Sequence, residues 1–328
     1  MTEPVNVWWT RVPVAGQKVR QARNALLEGK SVRVLPDMVW LDAFIELVVE
    51  KVKNRESGFS YDRIDCSAFD GSCPLLDSLV RMFHLESAYD GSLRSILPAL
   101  ADSSGSIWHL RRLLPTQRNE AYRLVKEAKA CPGHKIRFLL EDEFSTTSST
   151  IESIFLAPTH LDIQYYIWTL LLENGKGVSV EYASACAAEL CKGDPKHCLE
   201  FYEDVGHALA APGEVCGWLD PQELEHAILI AQVKCIEPKI EMGRQQLIER
   251  LGDRVERFLP FEDEYHNTFT HPREVELRHL WHFYNTLSLS ADEARILTIL
   301  YNGRNSIAHL KPLEYSKVNE ILSLESID

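Results

Sequence analysis

The sequence predicts two architectures in one chain: an α/β N-terminal domain on a parallel sheet, followed by an all-α helical C-terminal region. Three observations carry this. Short apolar runs alternate with segments of helical period in the first half. From about residue 160 the helical period repeats with no strand between. Loop-forming stretches, "STTSST" at 145–150 and "NGKG" at 174–177, separate the two regimes. The chain has 328 residues, enough for two domains, and its 45% hydrophobic and 25% charged residues are ordinary globular composition. The reading divides it into an α/β domain at 1–160, a helical connecting region at 161–220 and a helical domain at 221–328.

The elements follow in order. "GQKVRQARNALLEG" spaces Val19, Ala22, Leu26 and Leu27 along one helical face, and Gly29 ends it at the position after the cap. "SVRVLP" is a short buried strand stopped by Pro36, and "WLDAFIELVVEKVKN" returns to helical spacing. "YDRIDCSAF" is a second strand and "LLDSLVRMFHL" a second helix. After a basic helical stretch, "KIRFLLEDE" is the clearest strand, an apolar run ending in three carboxylates. In the second half "LDIQYYIWTLLLENG", "VEYASACAAELCKG", "PKHCLEFYEDVGHALA" and the long segment from Pro221 to Gly252 are consecutive helices. An acidic loop, "FEDEYHNTFTHP", precedes two or three more.

Composition bounds the function. The formal net charge of −13 argues against an even grip on nucleic acid. One stretch, Ile107 to Arg137, runs the other way: Arg111, Arg112, Arg118, Arg123, Lys126, Lys129, Lys135 and Arg137 face only Glu120 and Glu127. Two readings fit, a helix pair with solvated charges or a phosphate-facing patch. The candidate nucleic-acid-facing residues of the second are Arg111, Arg112, Arg118, Arg123 and Lys126. The eight cysteines form no CxxC pair, and Cys191, His197 and Cys198 do not match structural zinc spacing. They read as reduced, mostly buried thiols of a cytoplasmic protein. No signal peptide, membrane span, metal or cofactor is expected. His266, His271, His279 and His282 read as loop and helix-surface histidines, and Trp281, Phe283 and Tyr284 as core.

A strand ending "FLLEDE" is similar to the Walker B strand of P-loop ATPases, in which Glu141, Asp142 and Glu143 would hold Mg²⁺. The turn after the first strand, "VRVLPDMVWLDAF", has no glycine, no lysine and a bulky Trp40, and the "GKS" at 29–31 precedes that strand. The domain therefore resembles a P-loop fold without a Walker A site. Its carboxylates then read as a solvated strand end.

"RNSIAH", residues 304–309, fits the RNxxxH form of the motif that marks HEPN-domain ribonucleases, and the resemblance covers roughly residues 270–328. "SADEARILTILYN" reads as the helix before it, capped by Ser290 or Asp292, with Asn302-Gly303 as the break and Pro312 ending the motif helix. The resemblance implies His309 as acid/base, Arg304 as phosphate clamp and Asn305 as the residue that orients the imidazole. Arg304 and His309 lie about 140° apart on a regular helix. Convergence needs a frayed start at Gly303 or a second subunit. The implied function is a metal-independent endoribonuclease of a prokaryotic defence or toxin system, acting on RNA as a homodimer or with a protein partner. A non-catalytic adaptor of a larger defence complex is the alternative.

Overall fold

A computed structural model of the chain describes residues 3–100, 105–131, 136–143 and 149–324. It forms two compact units, Met1–Pro158 and Thr159–Asp328. Lys135 and most of the loop at 145–150 lie outside the described residues.

The first unit runs α1 (Glu3–Arg11), α2 (Pro13–Leu27), β1 (Ser31–Val34), α3 (Leu41–Lys53), β2 (Phe59–Asp65), α4 (Leu75–Met82) and α5 (Leu93–Ile96). It continues with β3 (Gly105–Arg111), α6 (Pro115–Ala130), β4 (Ile136–Glu141) and β5 (Ile151–Ile154). The five strands form one sheet in the order β2-β3-β4-β1-β5, and every pairing is parallel. β1 lies inside the sheet with all four residues buried, so it carries no alternation of exposed and buried positions. The chain steps from β1 to the far edge at β2, returns through β3 to β4, and then crosses β1 to place β5 on its other side. Such a reversal leaves a crevice outside the carboxyl ends of the adjoining strands, here β1 and β4.

The basic stretch is therefore not a helix pair. Its first part is β3, whose first six residues are buried, and α6 follows it. Parallel pairing on both sides makes a strand of the first part of what its charges suggested was helix. The strand β5 follows directly on the "STTSST" stretch and has no counterpart in the sequence reading, because "IESI" is too short to signal a period.

The second unit is helical apart from one small hairpin. It runs α7 (His160–Asn174), α8 (Val180–Leu190), α9 (Pro195–Glu203), α10 (Val205–Ala210), α11 (Pro212–Val215), α12 (Pro221–Leu251) and α13 (Asp253–Glu256). The hairpin strands β6 (Phe261–Glu262) and β7 (Thr268–Phe269) precede α14 (Leu277–His282), α15 (Ala291–Ala308) and α16 (Tyr315–Leu322). The 31-residue α12 is the spine: α8, α15 and α16 all pack on it. Asp220 and Glu223 close a capping box at its start, which answers N–H groups that have no partner inside the helix.

Ser290 caps α15, accepting a hydrogen bond from the Glu293 N–H. The helix then runs unbroken through Asn302 and Gly303. Gly303 is not a breaker. A β-carbon there would stand 2.8 Å from Ile321 Cδ1 and 3.1 Å from Ile240 Cδ1, so glycine is what lets α15 approach α12 and α16. Arg304 thus lies inside a continuous helix and not at a frayed start, and α15 ends at Ala308, before Pro312 acts.

Candidate functional site

The carboxyl edge of the sheet gathers the acidic cluster of β4 and part of the basic stretch. Glu141 is buried, and its Oε1 accepts hydrogen bonds from Arg111 Nε at 2.7 Å and His109 Nε2 at 2.9 Å. Behind His109, the Tyr61 hydroxyl lies 2.9 Å from Nδ1. Burial pushes Tyr61 up to about 12 and holds His109 below its ordinary range. The chain of donors is then Tyr61 O–H to a neutral imidazole, and its Nε2–H to the carboxylate. Burial alone would raise the Glu141 pKa. The bonds from His109 and Arg111 outweigh it and keep the carboxyl below its usual value.

Asp42, at the start of α3, takes Arg63 at 2.7 Å and Arg111 at 3.5 Å. Asp142, also buried, pairs with Arg118 at 3.1 Å and accepts from the Tyr122 hydroxyl at 2.8 Å. Glu141 and Asp142 are thus no solvated strand end but the buried anchor of an ion network, and only Glu143 faces solvent.

The five basic residues singled out in the sequence fall into two groups, two tied to buried carboxylates and three at the surface. Arg111 and Arg118 are committed to buried carboxylates. Arg112 pairs with Asp65 at 3.0 Å, and Arg123 with Glu120 and Glu127 at 3.5 and 3.4 Å. Lys126 is exposed on α6. After β1 there is no glycine loop. Trp40 takes a left-handed φ of 46° at the start of α3, and its ring meets Trp8 edge-on at 6.2 Å. A cavity of about 410 Å³ at this turn is lined by Pro36, Trp40, Asp42, Arg111 and Glu141.

The second unit holds the Arg-Asn-His segment. Arg304 and Asn305 line a cleft of about 700 Å³ bounded by α12 and α15, and Tyr301 and Ala308 share their face. His309 does not line it; it is exposed as the residue capping α15. Arg304 lies inside the continuous α15 and His309 caps it, and only Arg304 of the two lines the cleft. Arg304 is 48% exposed, Glu237 Oε1 is 3.6 Å away, and Glu241 in the same cleft also feels its charge. The opposite wall is already spoken for. Arg244 forks onto Glu241 and donates to the Val275 carbonyl at 2.7 Å, and Arg278 pairs with Asp263 and Glu276 at 3.0 Å each.

Two aromatic expectations are corrected. His279 is buried, packed edge-on against Phe261 and Phe269 at 5.1 and 4.4 Å, and burial lowers its pKa. The hairpin β6-β7 supplies those rings, which no short-range pattern could announce. Trp281 is not core: it is 37% exposed and stacks on Tyr301 at 4.6 Å. His266, His271 and His282 are exposed, and no group of three or more metal-ligating side chains occurs among the described residues. Five cysteines are buried, and burial pushes the Cys66 and Cys216 thiols up to about 12. Such thiols stay protonated and inert.

Among the described residues no helix is long and apolar enough to cross a membrane. No family model matches the chain, and no curated protein matches it. Among solved structures, that of the Aeropyrum pernix ORC1 protein in complex with DNA matches at 12% identity and a TM-score of 0.39, covering 92% of this chain and 87% of that one. A likeness at that level fixes neither a shared site nor a shared activity.

Proposed function

We propose that the second unit is a HEPN-like metal-independent endoribonuclease module whose cleft is completed by a second chain. The first unit serves it as a non-catalytic sensing or docking platform without a nucleotide site. The setting is a prokaryotic defence or toxin system. The observation that carries the reading is the α15 end: Arg304 and Asn305 open into a cleft, and His309 stands exposed one turn beyond Asn305. In the reaction an imidazole near neutral pKa takes the proton of a ribose 2′-hydroxyl, and a guanidinium offsets charge gathering on the phosphoryl oxygens. The angle between the two side chains requires that Arg304 of one copy face His309 of another. Phosphate must also draw Arg304 away from Glu237, a contact long enough to yield.

The test is RNA cleavage in EDTA, read by 2′,3′-cyclic phosphate ends. His309→Ala and Arg304→Ala each lower the rate by about a hundredfold or more. Mixing the two inactive variants restores about a quarter of the activity, because a mixed pair keeps one intact composite site. Cleavage that survives both substitutions removes the reading.

One observation favours the adaptor reading beside it. The helix α7 buries one face and leaves Leu161, Tyr165 and Leu172 exposed at 74%, 46% and 63%, on a second stripe spaced i, i+4, i+11. An adaptor would show no cleavage in any variant, and Leu161→Glu with Leu172→Glu would abolish assembly while leaving the fold intact.

A further inference from the structure

Gln232 lies fully buried on α12, where an amide needs a reason to be. Its Oε1 accepts from the Leu313 N–H at 2.8 Å, and its Nε2 donates to the Leu313 carbonyl at 2.8 Å and to the Tyr182 hydroxyl oxygen at 3.2 Å. One side chain thus pairs with both backbone groups of Leu313, as a neighbouring strand would. What it holds is the exit from α15. The Lys311 N–H returns to the Ser306 carbonyl at 2.9 Å and the Leu310 N–H to the Ile307 carbonyl at 3.0 Å, the paired bonds of a Schellman ending. In that ending the residue after the cap is left-handed and is commonly glycine. Here it is Leu310, with φ of 55° and its side chain 70% exposed. A leucine gains nothing from that conformation by itself, and it persists only where its surroundings over-determine it.

We infer that Gln232 is a positioning residue for His309. The amide clamp on Leu313 holds the left-handed exit at Leu310, and that exit fixes the direction in which the adjoining His309 side chain leaves the helix. His309 is tied from the other side as well, since its N–H bonds to the Asn305 carbonyl at 3.0 Å. The functional meaning rests on His309 as the proton acceptor. The clamp does not.

The experiment follows the ring signals of the twelve histidines by NMR in the full chain, together with amide exchange at Leu313. In Gln232→Met, which keeps length and burial but loses the amide, Leu313 exchange rises by about tenfold or more. The His309 signal broadens or splits while those of His266 and His271 stay. Adding Leu310→Gly restores a single His309 signal, because glycine holds the left-handed exit without the clamp. In a cleavage assay Gln232→Met lowers kcat and leaves KM unchanged. Should Gln232→Met not fold, Gln232→Glu keeps the acceptor for the Leu313 N–H and shows a smaller change in the same direction. An unmoved His309 signal beside a fast-exchanging Leu313 overturns the inference. Absence of cleavage by the wild-type chain overturns only the ribonuclease reading, since the His309 signal still decides the clamp.

Discussion

The carboxyl edge of the sheet and the end of α15 are written in similar letters: each is a short charged cluster at the end of an apolar run. They are built in opposite ways. At the sheet, the Glu141 and Asp142 side chains are 5% and 0% exposed, and each binds an arginine and a second hydrogen-bond donor. At α15, Arg304 is half in solvent, with a long contact to Glu237 and a weaker field from Glu241. Charges whose partners all lie within the fold are part of the fold. A charge whose partners are weak and lie in water can exchange them for a ligand, and ion pairs of that kind contribute about 1 kcal/mol or less.

The hardest blow to this contrast would come at Glu141. Glu141→Ala leaves the buried His109 N–H without its acceptor and Arg111 with only Asp42 at 3.5 Å, and it should cost about 2–3 kcal/mol in urea unfolding. A cost under about 1 kcal/mol would mean that the network is ornamental. The folded carboxyl lies below its ordinary value of 4.5, so its contribution is complete above that pH. It is lost as the pH falls from 4.5 through the lower folded value, a window in which Glu141→Gln should be flat.

The same helix that ends in the exposed motif begins like the sheet. Glu293, buried at the start of α15, holds Arg254 in a fork at 2.6 and 3.0 Å and accepts from the Ser290 N–H at 2.8 Å. The Arg254 bonds lower its pKa from 4.5 to about 2. Stability from this group is present above 4.5 and drains away as the pH falls towards 2. Glu293→Gln should cost about 2 kcal/mol at neutral pH and remove that part of the acid sensitivity. Equal acid profiles for the two proteins would show that the fork adds nothing.

The next effect is smaller and its sign is the point. In an exposed helix Gly→Ala stabilises by up to about 1 kcal/mol. At Gly303 it should destabilise by about 1–3 kcal/mol, because the new methyl collides with Ile321 and presses on Ile240. A thermal shift upward would place the motif helix farther from α16 than 2.8 Å packing allows.

That position also marks where sequence reading stops. Period and punctuation were enough for β1, α3, β2, α4 and β4, and for the helical run of the second unit, because each rests on local pattern. The strand β3 reads as helix because the polar side chains of His109, Arg111 and the following Arg112 belong to partners 30 or more residues away. Asn302-Gly303 has the composition of a turn, and only the presence of Ile240 and Ile321 makes it a helix interior. For the site, residue types were legible but company was not. Nothing near Arg304 announces Glu237, and nothing near His309 announces Gln232.

The smallest effect tests the open half of the contrast most directly. Arg304→Ala and His309→Ala should each change unfolding free energy by no more than about 0.5 kcal/mol, as surface substitutions away from packed features do. Arg304 gives up one contact of 3.6 Å to a carboxylate that is itself 42% exposed and that water can serve instead. His309 is exposed, and the hydrogen bonds that anchor it to Asn305 and Ser306 run through its backbone N–H, which alanine keeps. Neutral stability with lost cleavage would assign both side chains to chemistry. Neutral stability with intact assembly and no cleavage in any variant would leave α15 as a scaffold. A loss above about 2 kcal/mol in either variant would show that this end of the helix is held as tightly as Glu141, and the contrast between the two regions would fall.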